Sequence, residues 1–241
     1  MKRVLFFLLI AASLLSCGPE TVVETGNPSA ALIAQSGNPD IAFDNTGDLR
    51  IDEAWVSLRH LRFVPESRCA DPSGVPVQVP GPFVVDLLAR ERVDLPVDEA
   101  ERFCGLEIAR TRVSDLPSGA PEELADASFV VIGERLSDGA EVRIARDFGG
   151  EVLLEIEDPG AEFSVMGPHF LVWDLSSILN LEIEETQAGD DGVIRINATS
   201  NTLFFDGIGE TRTRSLSFHP DLDADGVLDD DEAAMTFAKV P

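Results

Sequence analysis

From about residue 40 onward, short apolar runs alternate with Gly, Pro, Asp and Asn clusters at intervals of 8 to 15 residues. Long amphipathic helices need apolar positions at i, i+3, i+4 and i+7, and this spacing does not supply them; it matches half-buried strands of period two separated by turns. Val56 and Leu58, then Leu61 and Phe63, share a face whose phase slips near His60. That slip predicts a strand with a bulge. Residues 83–88, 102–113, 128–135, 141–148 and 151–156 continue the series, with Asp138-Gly139 and Gly149-Gly150 as tight hairpin turns. Residues 170–173, 193–196 and 203–205 are expected as further strands, and helix only over 121–127 and 175–179. The chain thus reads as all-β: an antiparallel β-sandwich over residues 40–215, followed at 216–241 by a short calcium loop and helix. With 241 residues, 44% of them hydrophobic, there is enough apolar material for a core of that size.

The beginning of the sequence carries an address. Met1-Lys2-Arg3 is a short positive stretch, and residues 4–15 are almost wholly apolar but too short for a bilayer, which needs about 20 residues. Leu14-Leu15-Ser16-Cys17-Gly18 follows. This segment resembles the lipobox of bacterial lipoproteins, with a small residue just before the Cys that is lipidated and becomes residue one. The resemblance implies a signal peptide over 1–16, acylation of Cys17 and tethering to the membrane through lipid. Gly18 in place of an Asp is similar to lipoproteins sent on to the outer membrane, on its periplasmic face or the cell surface. Residues 17–39, with the near-copies Thr25-Gly26-Asn27-Pro28 and Ser36-Gly37-Asn38-Pro39, are expected to be a spacer.

Charge agrees with a tether made of lipid. The sequence has 18 basic against 44 acidic residues, and removal of Lys2 and Arg3 leaves 16 against 44, or −28. Such a chain is repelled by anionic head groups and lacks the clustered Lys and Arg that track phosphates, so nucleic acid is excluded as a partner. Cys69 and Cys104 remain as an even pair in an exported chain, where a disulfide is the default. It would close a loop of about 35 residues and stabilise by roughly 3 to 4 kcal/mol in the chain-entropy description.

Ala54-Trp55-Val56-Ser57-Leu58 and Val84-Val85-Asp86-Leu87-Leu88 resemble an uncharacterised family of bacterial lipoprotein domains with a transthyretin-like sandwich. The likeness spans roughly residues 50–180. It implies fold and location and brings no catalytic residues.

One constellation carries chemistry. Residues 221–232, DLDADGVLDDDE, satisfy every fixed position of the calcium loop D-x-[DN]-x-[DN]-G-x₅-E. Ca²⁺ takes six to eight hard oxygens, so Asp221, Asp223 and Asp225 are expected to converge and Gly226 to make the sharp turn. Val227 would offer its carbonyl, Asp229 an oxygen through water, and Glu232 both carboxylate oxygens. Leu228 is expected to pack inward. Asp229 with Glu232 three residues on forms a capping box that predicts a short exit helix. Pro220 and the strand-like Leu216-Ser217-Phe218 exclude an entering helix, so the segment resembles the loop-and-exit half of an EF-hand, as in dockerin-like repeats. A single unpaired loop predicts an affinity of about 10⁻⁴ to 10⁻³ M.

Other routes lack their residues. There is no G-x-S-x-G, S-x-x-K, H-E-x-x-H or P-loop, Asp147-Phe148-Gly149 has no kinase partners, and Asp190-Asp191-Gly192 reads as a turn. His60, His169 and His219 are scattered and read as surface or packed residues. The expected function is therefore non-catalytic: a calcium-binding, lipid-anchored structural or interaction module of the envelope. Two alternatives stand beside it, a calcium-ordered docking module for an envelope protein and a divergent carbohydrate-active enzyme using paired carboxylates. Replacing Cys17 with Ser is expected to abolish fatty-acid labelling in a bacterial host and to move the chain from the detergent to the aqueous phase in detergent partitioning.

Overall fold

The computed structural model describes residues 31–36, 49–65, 76–95, 102–156, 163–164, 167–175, 179, 183–211 and 216–240. The signal segment, Cys17 and Cys69 lie outside these residues. Thirteen strands dominate: β1 (Ala31–Ser36), β2 (Leu49–Pro65), β3 (Val77–Asp86), β4 (Arg92–Asp94), β5 (Arg102–Arg110), β6 (Phe129–Arg135), β7 (Ala140–Arg146), β8 (Glu151–Ile156), β9 (Phe163–Ser164), β10 (Pro168–Trp173), β11 (Ile194–Ile196), β12 (Leu216–Pro220) and β13 (Ala238–Lys239). The helices are short, α1 (Thr202–Thr211) and α2 (Asp230–Ala233), with 3₁₀ turns at Glu122–Ala125 and Ile183–Glu185. The fold is all-β, and its sheet is not closed.

All thirteen strands join one sheet, in the order β11-β7-β6-β2-β5-β8-β13-β12-β10-β1-β4, with β3 also on β2 and β9 also on β5. Strand β3 runs along β2 opposite residues 55–63, while β6 pairs with residues 49–56 and β5 with residues 58–65. Since β3 shares residues with both, it holds one edge of β2, and β6 and β5 divide the other. The sheet forks there. Ser57, fully buried, sits at the fork: its N–H donates to the Ser128 carbonyl at 2.9 Å, its carbonyl accepts from Thr111 N–H at 3.2 Å, and its hydroxyl donates to the Thr111 carbonyl.

Of three register shifts in β2, one lies at its end between Val64 and Pro65, and two fit this bend. One lies between Leu58 and His60, where the sequence phase predicted it, and the other between Ile51 and Glu53. Opposite the second, Gly133 is pressed so close that a Cβ would sit 2.1 Å from the Arg50 carbonyl oxygen. Residues facing inward from both limbs of the fork, among them Leu49, Val142 and Ile194 on one and Leu154, Trp173 and Phe218 on the other, belong to one continuous core. A second cluster of Leu124, Ala127 and Val130 covers the outer face of the β6 limb. With apolar material on both faces, β6 reads as an unbroken run instead of an alternation.

Several local expectations are corrected. Residues 203–205 belong to α1, not to a strand: Phe204, Phe205 and Ile208 pack inward at helical spacing, while Leu203 is 85% exposed. Gly149-Gly150 is not a hairpin, because β7 pairs with β6 and β11, and β8 with β5 and β13. Pairing is not wholly antiparallel, since β1–β10 and β11–β7 are parallel; the long intervening chain supplies the crossover that parallel neighbours need. The expected spacer contains β1, and the 216–241 segment is no separate unit, because β12 and β13 bridge β10 and β8 within the sheet. Changing Gly133 to Ala is expected to lower stability by about 1–3 kcal/mol, as overpacking does, seen as a reduced urea midpoint with unchanged slope.

Candidate metal centre

Strand β12 delivers residues 221–232 to the surface beside β10 and β1. Asp221 follows the last residue of β12, and its N–H donates to the Pro168 carbonyl at 3.2 Å, so the first residue of the loop is fixed to β10. Leu228 packs on Ile33, Phe170 and Val172, as its apolar position predicted. The loop is thus seated at both ends of its curve.

Within the loop, carboxylates organise backbone. Asp223 Oδ1 accepts from Asp225 N–H at 3.1 Å, Asp225 Oδ1 from Val227 N–H at 2.7 Å, and Asp221 Oδ2 from Gly226 N–H at 3.1 Å. The chain curls through left-handed backbone at Ala224 (φ 61°) and Gly226 (φ 76°), the second being where the sequence required Gly. The exit is also as expected. Asp229 caps α2 by accepting from Glu232 N–H at 2.9 Å, and Glu232 Oε2 accepts from Asp229 N–H at 3.1 Å, completing the capping box.

The structure brings Asp221, Asp223 and Asp225 together, with one oxygen of each within 4.8 Å of the others. Glu232 is buried but stands outside that cluster; its Oε1 accepts from Leu222 N–H at 2.6 Å, and its Oε2 is taken by the cap. Asp229 likewise turns its carboxylate to α2, and the side chain of Val227 faces outward. Behind the loop, His219 Nδ1 lies 3.2 Å from the Glu232 carbonyl, so this nitrogen carries the proton, and Nε2 accepts from Ser217 Oγ at 2.8 Å. Burial holds the His219 imidazole below its usual value. A neutral, doubly bonded ring here braces α2 against β12.

Asp221 is the group that asks for an ion. It is 7% exposed, and its Oδ1 is buried with no hydrogen-bond partner. Burial, followed by the nearby charges of Asp225 and Asp223, pushes its carboxyl above the ordinary range, although the Gly226 and Ala224 N–H groups pull the other way. A buried carboxylate oxygen with no donor is costly, and a cation within the three-aspartate cluster would remove that cost.

Sequence reasoning missed one gathering of ligand-type residues. His60, Glu107 and Glu151 converge from three strands, which no spacing along the chain reveals. An open pocket beside β11 is lined by Gln187, Ala188, Gly189, Val193, Arg195, Ser200 and Asn201, with no carboxylate among them. Asp190-Asp191-Gly192 forms the turn expected of it, with Asp191 paired to Arg195 at 2.8 Å. The chain matches no protein-family model, no curated protein and no solved structure.

The raised Asp221 carboxyl has a signed consequence. In ion-free protein its ionised form is disfavoured by folding, so the penalty is full above its folded titration point and vanishes as pH falls to the ordinary carboxylate value near 3.9. Asp221→Asn is therefore expected to raise the ion-free melting temperature at neutral pH, with the gain over wild type closing as pH falls through that window in calorimetric scans.

Proposed function

We propose that this chain is a calcium-binding, lipid-anchored protein of the bacterial cell envelope that acts without catalysis, as a structural or interaction module. The observation that carries the calcium reading is the buried, partnerless Asp221 Oδ1 inside a cluster of three aspartates. Hard oxygens from Asp221, Asp223 and Asp225 are the donor chemistry Ca²⁺ takes. Binding would draw Glu232 from its two backbone donors, Leu222 and Asp229, toward the ion, together with the Val227 carbonyl and an Asp229-held water. Giving up those bonds is a reason for weak affinity.

The address rests on the lipobox at Cys17. Among the described residues no helix is long and apolar enough to cross a membrane, and lipid on Cys17 is the attachment we assign. The outer membrane is the proposed destination, following Gly18. The sandwich reading is supported by the fork at β2 and by the single core that both limbs share. A Cys69–Cys104 disulfide is supported by register: Pro65 pairs with Phe103, which places Cys104 beside the strand end from which the chain leads to Cys69 four residues on. Cys104 Sγ lies 3.5 and 3.4 Å from the Val64 and Pro65 carbonyl oxygens.

One observation favours the docking alternative. Leu222, Val227 and Met235 are 58%, 48% and 44% exposed around the loop, an apolar rim that a bound ion would hold rigid. Retention of an envelope protein only in the presence of Ca²⁺ would decide for docking. For the calcium reading itself, calorimetric titration of the detergent-solubilised chain is expected to give one site near 10⁻⁴ to 10⁻³ M. Asp221→Ala and Glu232→Ala should each abolish it, and unfolding should rise with calcium by RT ln(1 + [L]/Kd). No heat at about 10 mM Ca²⁺ would sink the assignment.

A further inference from the structure

On the far side of the fork, three strands line up a second set of ligands. His60 on β2 is opposite Ala109 on β5, and Ala109 is opposite Glu151 on β8, so the three share one face of the sheet in a single row. Glu107, two residues before Ala109, points to the same face and is opposite Arg62. The bulge between Leu58 and His60 brings His60 into this row; without it the side-chain alternation would send the imidazole to the other face. Ala109, between His60 and Glu151 in this row, has a small side chain and is fully buried.

His60 is 8% exposed, and its Nε2 is buried without a hydrogen-bond partner, 3.7 Å from Glu151 Oε1. One ligand atom from each of His60, Glu107 and Glu151 lies within 4.8 Å of the others. An ion held at about 2.0–2.1 Å by a tetrahedral set separates its ligands by roughly 3.4 Å, so the His60–Glu151 pair is near that spacing and Glu107 must close by a rotamer adjustment. The neighbouring cations do not exhaust the carboxylates. Arg62 binds Glu107 through Nε at 3.0 Å and through its terminal nitrogen, and Arg59 reaches Glu151 Oε1 at 2.9 Å from an exposed position. Each carboxylate has about four lone-pair sites, so acceptor capacity remains on the His60 side. Burial pushes the Glu107 carboxyl up, but the hydrogen bonds and charge of Arg62 outweigh it and hold it below its usual value.

We propose that His60, Glu107 and Glu151 form a second cation site, distinct from the calcium loop, that takes a borderline transition metal of the Zn²⁺ class and leaves the fourth position open to water. An imidazole nitrogen beside two carboxylates suits zinc and disfavours Ca²⁺, which takes oxygen donors. The surplus of 26 negative charges draws divalent cations to either site, so ligand type is what separates the two. At Glu151 two cations give way, Arg59 from a solvent-exposed, weak pair and Arg62, whose terminal nitrogen lies 3.9 Å from Oε2.

The test is a Zn²⁺ titration of the detergent-solubilised full chain in excess Ca²⁺, with bound metal counted after gel filtration. One zinc equivalent is expected, and His60→Gln and Glu151→Gln should each weaken it at least about tenfold, whereas Asp221→Ala should not. Co²⁺ in place of zinc should give a visible absorption band that His60→Gln removes. Glu151 lies on the exposed face of β8, so its variant reports even if His60→Gln fails to fold. No zinc retained, zinc retained equally by both variants, or zinc lost with Asp221→Ala would each overturn the site. Because calcium is scored separately, failure of either reading leaves the other standing.

Discussion

Backbone pairing along β2 sets everything else in place. A strand has two hydrogen-bonding edges, and this one of 17 residues gives one to β3 and splits the other between β6 and β5. Such a split leaves a few backbone groups between the two partners, and buried backbone groups must be paired. Ser57 is where that requirement is met, because its main chain serves β6 through Ser128 and β5 through Thr111. Ser128 repeats the device: its N–H donates to Arg146 and its hydroxyl accepts from Phe148 N–H at 2.9 Å. Two buried serines thus stand where a regular ladder has to end, and the limbs can diverge while the main-chain N–H groups of both serines stay paired.

Both metal-type sites depend on that geometry in different ways. The three aspartates are gathered by local chain, since each accepts from a backbone N–H only two to five residues away. What comes from the wider fold is placement, through Leu228 on the β1 and β10 side chains and the Asp221 N–H on Pro168. The His60, Glu107 and Glu151 set has no such local logic. It exists because β2, β5 and β8 are neighbours and because one extra residue at Arg59 resets the alternation.

This difference explains what the sequence made legible. The bulge at His60 and the capping box at Asp229 are decided within about a dozen residues, and both are found where the pattern put them. Leu203-Phe204-Phe205 misled because a three-residue apolar run fits either period; Ile208 settles it as helix, but only once the core is known. The parallel neighbours β1 and β11 carry no local mark of their partners, and Gly149-Gly150 has the chemistry of a hairpin while joining strands that never pair. Glu232 has the residue type of a calcium ligand, yet its oxygens also satisfy two backbone donors, a competition that no motif records.

The position of β13 gives the fold an order in time. Only two residues long, it is, among the described strands, the one that joins β8 to β12 in the sheet, and so the half built on β2 to the half built from β12, β10, β1 and β4. It is also the last of the described strands to be synthesised. A chain made from its N-terminus can therefore form the β2, β5, β6 and β8 pairings early, but it must hold β10 and β1 without their connection to β8 until residues 238–239 arrive. The segment that carries the three aspartates immediately precedes that final stitch, so the joining of the two halves waits on the very stretch of chain that gathers them.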